Sequence, residues 1–452
     1  MWLLSQLWRR LTEGPSGGGP RPAPVDLHPF ALAASEDNRF IVLREAVLDR
    51  AMGVAGYDFS QTDDRVAAET ELEREKALLR HLGTKDARTL AVGRTLFITT
   101  KLEILCDPAV DALAGTGTVL LLRPASLHAF NDALIERIQS LGRRGVCVGL
   151  ADGRAALESD ALARAIATAF FSVTDFLPPD LVGIARRLSK LNPALKLGVR
   201  GLQTQDEFDA CARLGFVYLR GPFVRRREEW SATRANPSAL RICELLGRVR
   251  GGATPHEIAE QVRLDPMLSY RILRLANSAA LGAMRNVTSI EETILVLGRD
   301  PLYRWLALLL CVSAPPGPGH HAVLESALAR GRFMELLAGA DSHESERQAL
   351  FLTGMFSLLD VLLKVSMASL LAQVKLPREV SGAIVRRVGP CALPLQLAQA
   401  CEQAEAGVVE GLCARLEIEP HQFNRALGAA GAWARETATA IRGVSVPVPI
   451  RN

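Results

Sequence analysis

From residue 38 to about 224, short β-rich runs alternate with stretches whose apolar residues recur at helical spacing. The β-rich runs fall at 39–47, 53–59, 95–99, 118–122, 145–150, 169–173, 196–199 and 216–219. Helical patterns at 64–82, 126–141, 154–168, 178–191 and 203–214 fill most of the gaps. This alternation predicts a closed α/β barrel of the TIM type, and an open doubly wound sheet is the other arrangement the pattern allows. Residues 48–52 are too few for a crossover helix, so the first two runs form a hairpin and one strand is antiparallel.

Beyond a charged segment closed by proline, 225–237, the β signal stops and helix starts become explicit. Thr254-Pro255-His256-Glu257 and Ser289-Ile290-Glu291-Glu292 have the spacing of capping boxes, and Asp265-Pro266 and Asp300-Pro301 pair a capping carboxylate with a proline suited to a first helical turn. An all-α helical domain therefore follows the barrel. Residues 314–321, Ala-Pro-Pro-Gly-Pro-Gly-His-His, read as a mobile loop within it.

Composition narrows the chemistry. The 452 residues hold 53 Lys and Arg against 49 Asp and Glu, and only 5% are aromatic. A mixed surface with few stacking rings gives no support to nucleic-acid binding. None of the eight cysteines belongs to a Cys-x-x-Cys pair, and stretches such as Gly145-Val-Cys147-Val-Gly149 suggest reduced core residues of a cytoplasmic protein. The greasiest run, 305–313, is closed by Arg304 and Pro315-Pro316, so no integral membrane segment is expected.

Residues 1–30 read as an N-terminal helix and a Gly/Pro linker. Leu4, Leu7, Trp8 and Leu11 share one helical face in 1–12, which either folds back on the protein or docks on a partner or membrane surface. The charges follow the apolar residues, which is the wrong order for a secretory signal. Gly14-Pro15-Ser16-Gly17-Gly18 matches the nucleophile-elbow spacing but lacks the flanking strand and helix that the elbow requires. No Gly-Lys dipeptide exists to build a phosphate-binding loop, and Arg225-Arg226-Arg227 is balanced by Glu228-Glu229.

Chemistry in such a barrel sits at the C-terminal ends of the strands. Reading those ends gives Asp58, Thr99 with Thr100, Arg123, Ala151 with Asp152, Asp175, Arg200 and Arg220. A divalent-metal hydrolase needs several converging carboxylates, whereas arginine repels a metal and cannot serve as a base at neutral pH. Three acids among three arginines read as salt-linked, with no metal and no cofactor expected.

The segment Arg44-Glu-Ala-Val-Leu-Asp-Arg-Ala-Met-Gly-Val-Ala-Gly-Tyr-Asp58-Phe59-Ser60 resembles the opening of the EAL family, barrel-fold cyclic-di-GMP phosphodiesterases. The similarity spans about 185 residues. It implies that Asp58-Phe59-Ser60 stands at the Glu-Ala-Leu motif and Ala151-Asp152 at the Asp-Asp pair, so that Ala151 replaces a metal-binding aspartate. Val173-Thr174-Asp175 then stands at Lys-Ile-Asp, with Val173 for the catalytic lysine. Thr99 takes the place of a metal-binding asparagine, and Leu122 or Arg123 that of a glutamate. Gly198-Val-Arg200-Gly-Leu-Gln203-Thr204 resembles the late Ala-Glu-x-Val-Glu-Thr motif, and Arg220-Gly221 follows the frame of the final strand without its glutamine. Asp152 and Asp175 alone match as they stand.

In the helical half, Leu264-Asp265-Pro266 through Asn277-Ser278 and on to Gly298, with a third block at 350–360, resembles the HDOD family, helical modules related to HD-type phosphohydrolases but without their metal site. The resemblance runs over 232–424, leaving 425–452 as a C-terminal helix and tail. No histidine is followed by aspartate; His320 and His321 read as solvated loop residues, and His256 as solvent-facing. Asn277 and Ser278 either orient two helices or rim a partner contact, and Asp360 is either buried and paired or exposed.

Together these readings predict a bacterial signalling protein that is not an enzyme, acting through an unidentified protein partner. Asp58, Thr99, Arg123, Asp152, Asp175, Arg200 and Arg220 would then line a degenerate pocket. One alternative is a receptor for an anionic nucleotide held by Arg123, Arg200 and Arg220; another is an active cyclic-di-GMP phosphodiesterase. Homo-oligomerisation is open.

Overall fold

The computed structural model describes residues 40–62, 70–83, 90–123, 131–222, 237–276, 289–313, 317, 319–339, 342–373 and 376–442. The amphipathic 1–12 segment, the Gly/Pro linker, most of 225–237, and Asn277 and Ser278 lie outside them. The chain divides into two compact units. One holds the described residues up to 222 together with 396–432, and the other holds 237–395 with 433–442.

In the first unit eight strands close in sequence order into a barrel: β1 (Val42–Leu48), β2 (Val54–Gln61), β3 (Thr95–Lys101), β4 (Thr118–Arg123), β5 (Cys147–Leu150), β6 (Thr168–Ser172), β7 (Lys196–Arg200) and β8 (Tyr218–Leu219). Neighbours from β2 to β8 are parallel, and β1 is antiparallel to both β2 and β8. Closure rules out the open sheet. The β1–β2 turn is built by Asp49, whose Oδ1 accepts from the N–H groups of Ala51 and Gly53, both at 2.8 Å.

Alternation along each strand fills the barrel. Val47, Phe97, Val119, Leu121, Ala151, Phe170 and Tyr218 form one buried cluster, with the Phe97 and Tyr218 rings edge to face at 4.9 Å. Gly198 makes room for this layer, since a Cβ there would lie 2.6 Å from the Phe170 ring.

The seam between β1 and β8 rests on one backbone pairing, Leu48 with Leu219. Much of the β1 edge is therefore left without a strand, and Asn424, on the helix Pro420–Arg442, completes it. Its Oδ1 accepts from Val42 N–H at 2.8 Å, and its Nδ2 donates to the Phe40 carbonyl at 3.0 Å. Gly431 on the same helix lies against Arg44, where a Cβ would come within 2.4 Å of the guanidinium. Asn424→Ala strands two buried backbone groups and is expected to cost the barrel about 2 kcal/mol, read as a fall in its thermal midpoint.

Two sequence expectations fail here for identifiable reasons. The predicted helix 154–168 is two helices, Arg154–Glu158 and Asp160–Ala165, because the Ser159 hydroxyl accepts from Leu162 N–H and starts the chain afresh. Cys147, expected in the core, is exposed at the start of β5, and its neighbours Val146 and Val148 take the buried positions. Cys106 is exposed too, whereas the other six thiols are buried and free.

The second unit is helical, beginning with Pro237–Arg250, Pro255–Arg263, Pro266–Ala276, Ile290–Leu297, Arg299–Val312, His320–Leu336 and Glu344–Phe356. Thr254 and Glu257 make the predicted capping box, Ser289 accepts from Glu292 N–H, and Asp265 accepts from Met267 and Leu268 N–H. Asp300-Pro301 is not a start. The helix begins two residues earlier than Pro301, at Arg299, behind Gly298 with its φ of +81°. His320 and His321 open a helix instead of sitting in a loop, and burial, aided by His321 and Lys364, pushes the His320 pKa down. His256 is exposed as expected, 3.3 Å from Glu291.

Asp360 is buried. The strongest polar feature of this unit is a fork between Arg304 and Glu335, Nη1 to Oε1 at 2.7 Å and Nη2 to Oε2 at 2.8 Å, with Arg332 on the same carboxylate at 2.7 Å. The Arg304 guanidinium lies 4.0 Å over the Phe351 ring. Among the described residues no helix is long and apolar enough to cross a membrane.

Candidate functional site: the mouth of the barrel

Five of the seven residues singled out at the strand ends lie at or just after the C-terminal ends of β4 to β8; Thr99 sits within β3, ahead of its last residue Lys101, and Asp58 within β2, ahead of its last residue Gln61. Ion pairs divide five of them into three groups, and Arg200 and the uncharged Thr99 stand apart.

The first group is the most enclosed. Glu45 on β1 and Asp58 on β2 are direct cross-strand partners, so both side chains emerge on the same face of the hairpin. Arg220, just after β8, bridges them with Nη2 at 2.5 Å from Glu45 Oε2 and Nη1 on Asp58 Oδ2. The Asp58 side chain is 11% exposed and its Oδ1 has no hydrogen-bond partner. Burial raises the Asp58 pKa above the ordinary carboxylate value, and Glu45 adds to this, against the opposing pull of Arg220 and Arg200. The same guanidinium ties β8 to the β1–β2 hairpin across the sparsely paired seam.

The second group fastens the helix Glu71–Gly83 to the rim. Glu71 Oε2 lies 2.6 Å from Lys101 Nζ, and Glu71 Oε1 lies 3.0 Å from Arg123 Nη2. Glu75 accepts from the Lys101 backbone N–H at 2.9 Å and also pairs with Arg123. Hydrogen bonding from Lys101 and Arg123 lowers the Glu71 pKa. In the third group Arg154 Nε donates to Asp152 Oδ2 at 2.8 Å, and Arg154 Nη2 lies 3.7 Å from Asp175. Burial would raise the Asp152 pKa, but the side-chain and backbone N–H groups of Arg154 hold it below the ordinary value. Thr99 is half-buried on β3.

Arg200 closes β7, half-buried, and its field reaches both Asp58 and Asp152. It forms no ion pair within 4 Å among the described residues, unlike Arg123 and Arg220. The arginines are therefore not equivalent: two are committed to carboxylates, and one holds its charge at the mouth without a direct counter-ion.

Sequence reasoning missed Glu45, Glu71, Glu75, Lys101 and Arg154. Glu45 was within reach, because a hairpin turning at 49–53 pairs it with Asp58 by register alone. Glu71 and Glu75 lie on a helix whose docking no local pattern specifies. In the second unit Asp265 caps and Pro266 opens the helix Pro266–Ala276, and Gly298 precedes Arg299–Val312.

Comparisons with known proteins bear on both units. A family model for the HDOD domain matches residues 237–376. The chain is 26% identical over 314 residues to the cyclic di-GMP phosphodiesterase CdgJ of Vibrio cholerae, covering 68% of this chain and 71% of that protein. It is also 26% identical over 263 residues to the uncharacterized protein YuxH of Bacillus subtilis, covering 56% of this chain and 63% of that protein, under two thirds of its length. Solved structures that align with it include the Xanthomonas citri FimX EAL domain in complex with c-diGMP, at 13% identity and a TM-score of 0.34 over 41% of this chain and 87% of that one. The Bacillus subtilis YkuI protein, with an EAL domain, in complex with c-di-GMP and calcium, aligns at 12% identity and the same TM-score of 0.34, over 59% and 73%.

The sequence match to CdgJ corrects one expectation. The chain was expected not to be an enzyme because few positions of the motif persist, yet a relative matched over most of both chains is named as a phosphodiesterase. What the sequence and structure establish is a closed mixed barrel followed by a helical region that matches the HDOD domain over residues 237–376, in a chain similar in sequence to a protein named as a cyclic di-GMP phosphodiesterase.

Proposed function

We propose that this protein works in cyclic-di-GMP signalling in the bacterial cytoplasm, that the mouth of its barrel binds cyclic di-GMP or a related anionic nucleotide, and that the HDOD domain relays occupancy to a protein partner. The observation that carries the reading is Arg200. A half-buried guanidinium without an ion pair among the described residues can bind a phosphate oxygen pair without first giving up a carboxylate. Arg220 and Arg123 hold the hairpin and the rim helix in place around it, and Asp152 and Asp175, already paired to Arg154, set one edge of the site.

A second reading, cleavage of the bound nucleotide, is favoured by the match to a protein named as a phosphodiesterase. One experiment addresses both. Calorimetry of the full chain with cyclic di-GMP, with and without Mn²⁺, followed by chromatography of the nucleotide, is expected to give saturable binding. Arg200→Ala is expected to weaken it about tenfold, the loss of one charge-assisted contact. Appearance of the linear dinucleotide establishes the second reading. Absence of binding under every condition removes the nucleotide from the account.

A further inference from the structure

The segment Val385-Arg386-Arg387-Val388-Gly389-Pro390 is exposed without interruption, with Val385 at 57% and Val388 at 51% exposure. Its first two residues end one π-helical turn, Gly382–Arg386, closed by the Arg387 N–H bonding to the Gly382 carbonyl five residues back. Val388 N–H reaches the same carbonyl at 3.2 Å. Single π turns are frequent at functional sites. The segment lies beyond the residues matched to the HDOD domain and apart from the barrel mouth in the sequence.

Arg387 adopts a left-handed backbone, φ +57°, at the helix end where glycine is the usual residue, and glycine comes only two positions later. Arginine there is held against its own backbone preference, and its side chain gains no compensating ion pair: neither Arg386 nor Arg387 pairs with a carboxylate among the described residues. The sequence offers no carboxylate between Glu379 and Glu402 either. Two exposed valines flank two guanidinium groups, so the loop presents apolar surface and uncompensated positive charge together.

We propose that residues 385–390 are a docking surface for an acidic segment of a partner protein that also carries aliphatic side chains. The arginines meet carboxylates in pairs, and the valines bury the intervening aliphatic residues. The assignment does not depend on what the barrel binds.

The test uses the full chain and a fluorescein-labelled peptide repeating Glu-Glu-Leu, followed by fluorescence anisotropy. Saturable binding that weakens as salt rises is expected. Arg386→Glu with Arg387→Glu is expected to weaken it at least tenfold, and Val385→Ser with Val388→Ser several-fold. The same charge change at exposed barrel residues, Arg186→Glu with Arg187→Glu, is expected to leave it unchanged, with circular dichroism confirming that each variant is folded. The proposal is overturned if the peptide does not bind, if the two charge reversals act alike, or if the valine changes have no effect. It is equally overturned if vesicles of phosphatidylcholine and phosphatidylglycerol are retained through Arg386 and Arg387 while the peptide is not, which would make the surface a lipid site.

Discussion

Glu335→Ala is expected to destabilise the helical unit by about 3 to 5 kcal/mol, because it leaves the Arg304 guanidinium buried over Phe351 without its fork of carboxylate oxygens. Arg304→Ala should cost a similar amount for the converse reason. The double variant with both residues replaced by methionine and leucine is expected to recover much of the loss, since two well-packed apolar side chains leave no charge stranded. Hydrogen exchange of amides in Arg299–Val312 and His320–Leu336 reads this unit separately from the barrel, which matters because two units need not unfold together. Unchanged protection in Glu335→Ala would show that the pair contributes little to holding these helices.

The same carboxylate fixes a pH response. Burial would raise the Glu335 pKa, but Arg304 and Arg332 outweigh it and hold the pKa below the ordinary value. The folded state therefore binds fewer protons than the unfolded state in that window. Its contribution is present above the ordinary glutamate range and is lost as pH falls through the depressed value. Asp58 has the opposite sign. Its pKa is raised mainly by burial, so the folded barrel holds a proton that the unfolded chain has released. That contribution grows as pH falls towards the ordinary carboxylate value and is lost as pH rises through the raised one. Mild acidification should thus favour the barrel through Asp58 before the helical unit begins to lose Glu335.

Arg220→Ala is expected to cost the barrel about 3 kcal/mol. It removes the bridge from β8 to the hairpin and leaves Glu45 and Asp58 as neighbouring carboxylates in a largely enclosed space. The Asp58 pKa should rise further, since the guanidinium that opposes burial is gone. Thermal midpoints measured across pH separate the two effects: the loss should be largest at neutral pH and shrink in acid, where one carboxyl is protonated. Asp58→Asn in the Arg220→Ala background is expected to recover part of the stability by removing the repulsion. A pH-independent loss would mean that the bridge acts by packing alone.

Local patterning carried the architecture further than it carried the site. All eight strands and the single antiparallel one follow from alternation, helical spacing and the shortness of 48–52, because each of these is written within a few residues. The break at Ser159 was hidden, since a serine reads the same mid-helix or as a cap until the chain direction is known. The mouth residues were found one strand end at a time, yet their partners were not. Arg123 looks the same in sequence whether it faces a ligand or is bound by Glu71 and Glu75, which precede it by about 50 positions. The distinction that sets Arg200 apart belongs to tertiary structure, and no spacing rule encodes it.

The contact between Asn424 and β1 spans 382 positions to Val42 and 384 to Phe40, and this has a consequence for biosynthesis. The last strand of the barrel leaves the ribosome well before the residue that completes its first one. At about 5 to 20 residues per second, the interval between Leu219 and Asn424 is roughly 10 to 40 s. Throughout that time the nascent barrel presents an unsatisfied strand edge, the kind of surface that chaperones cover and that neighbouring chains on a polysome can pair with. Ribosomes halted near residue 265, with β8 clear of the exit tunnel, should therefore display a barrel more dependent on chaperones than the finished protein, and a late stop codon that removes Asn424 should harm the domain encoded first.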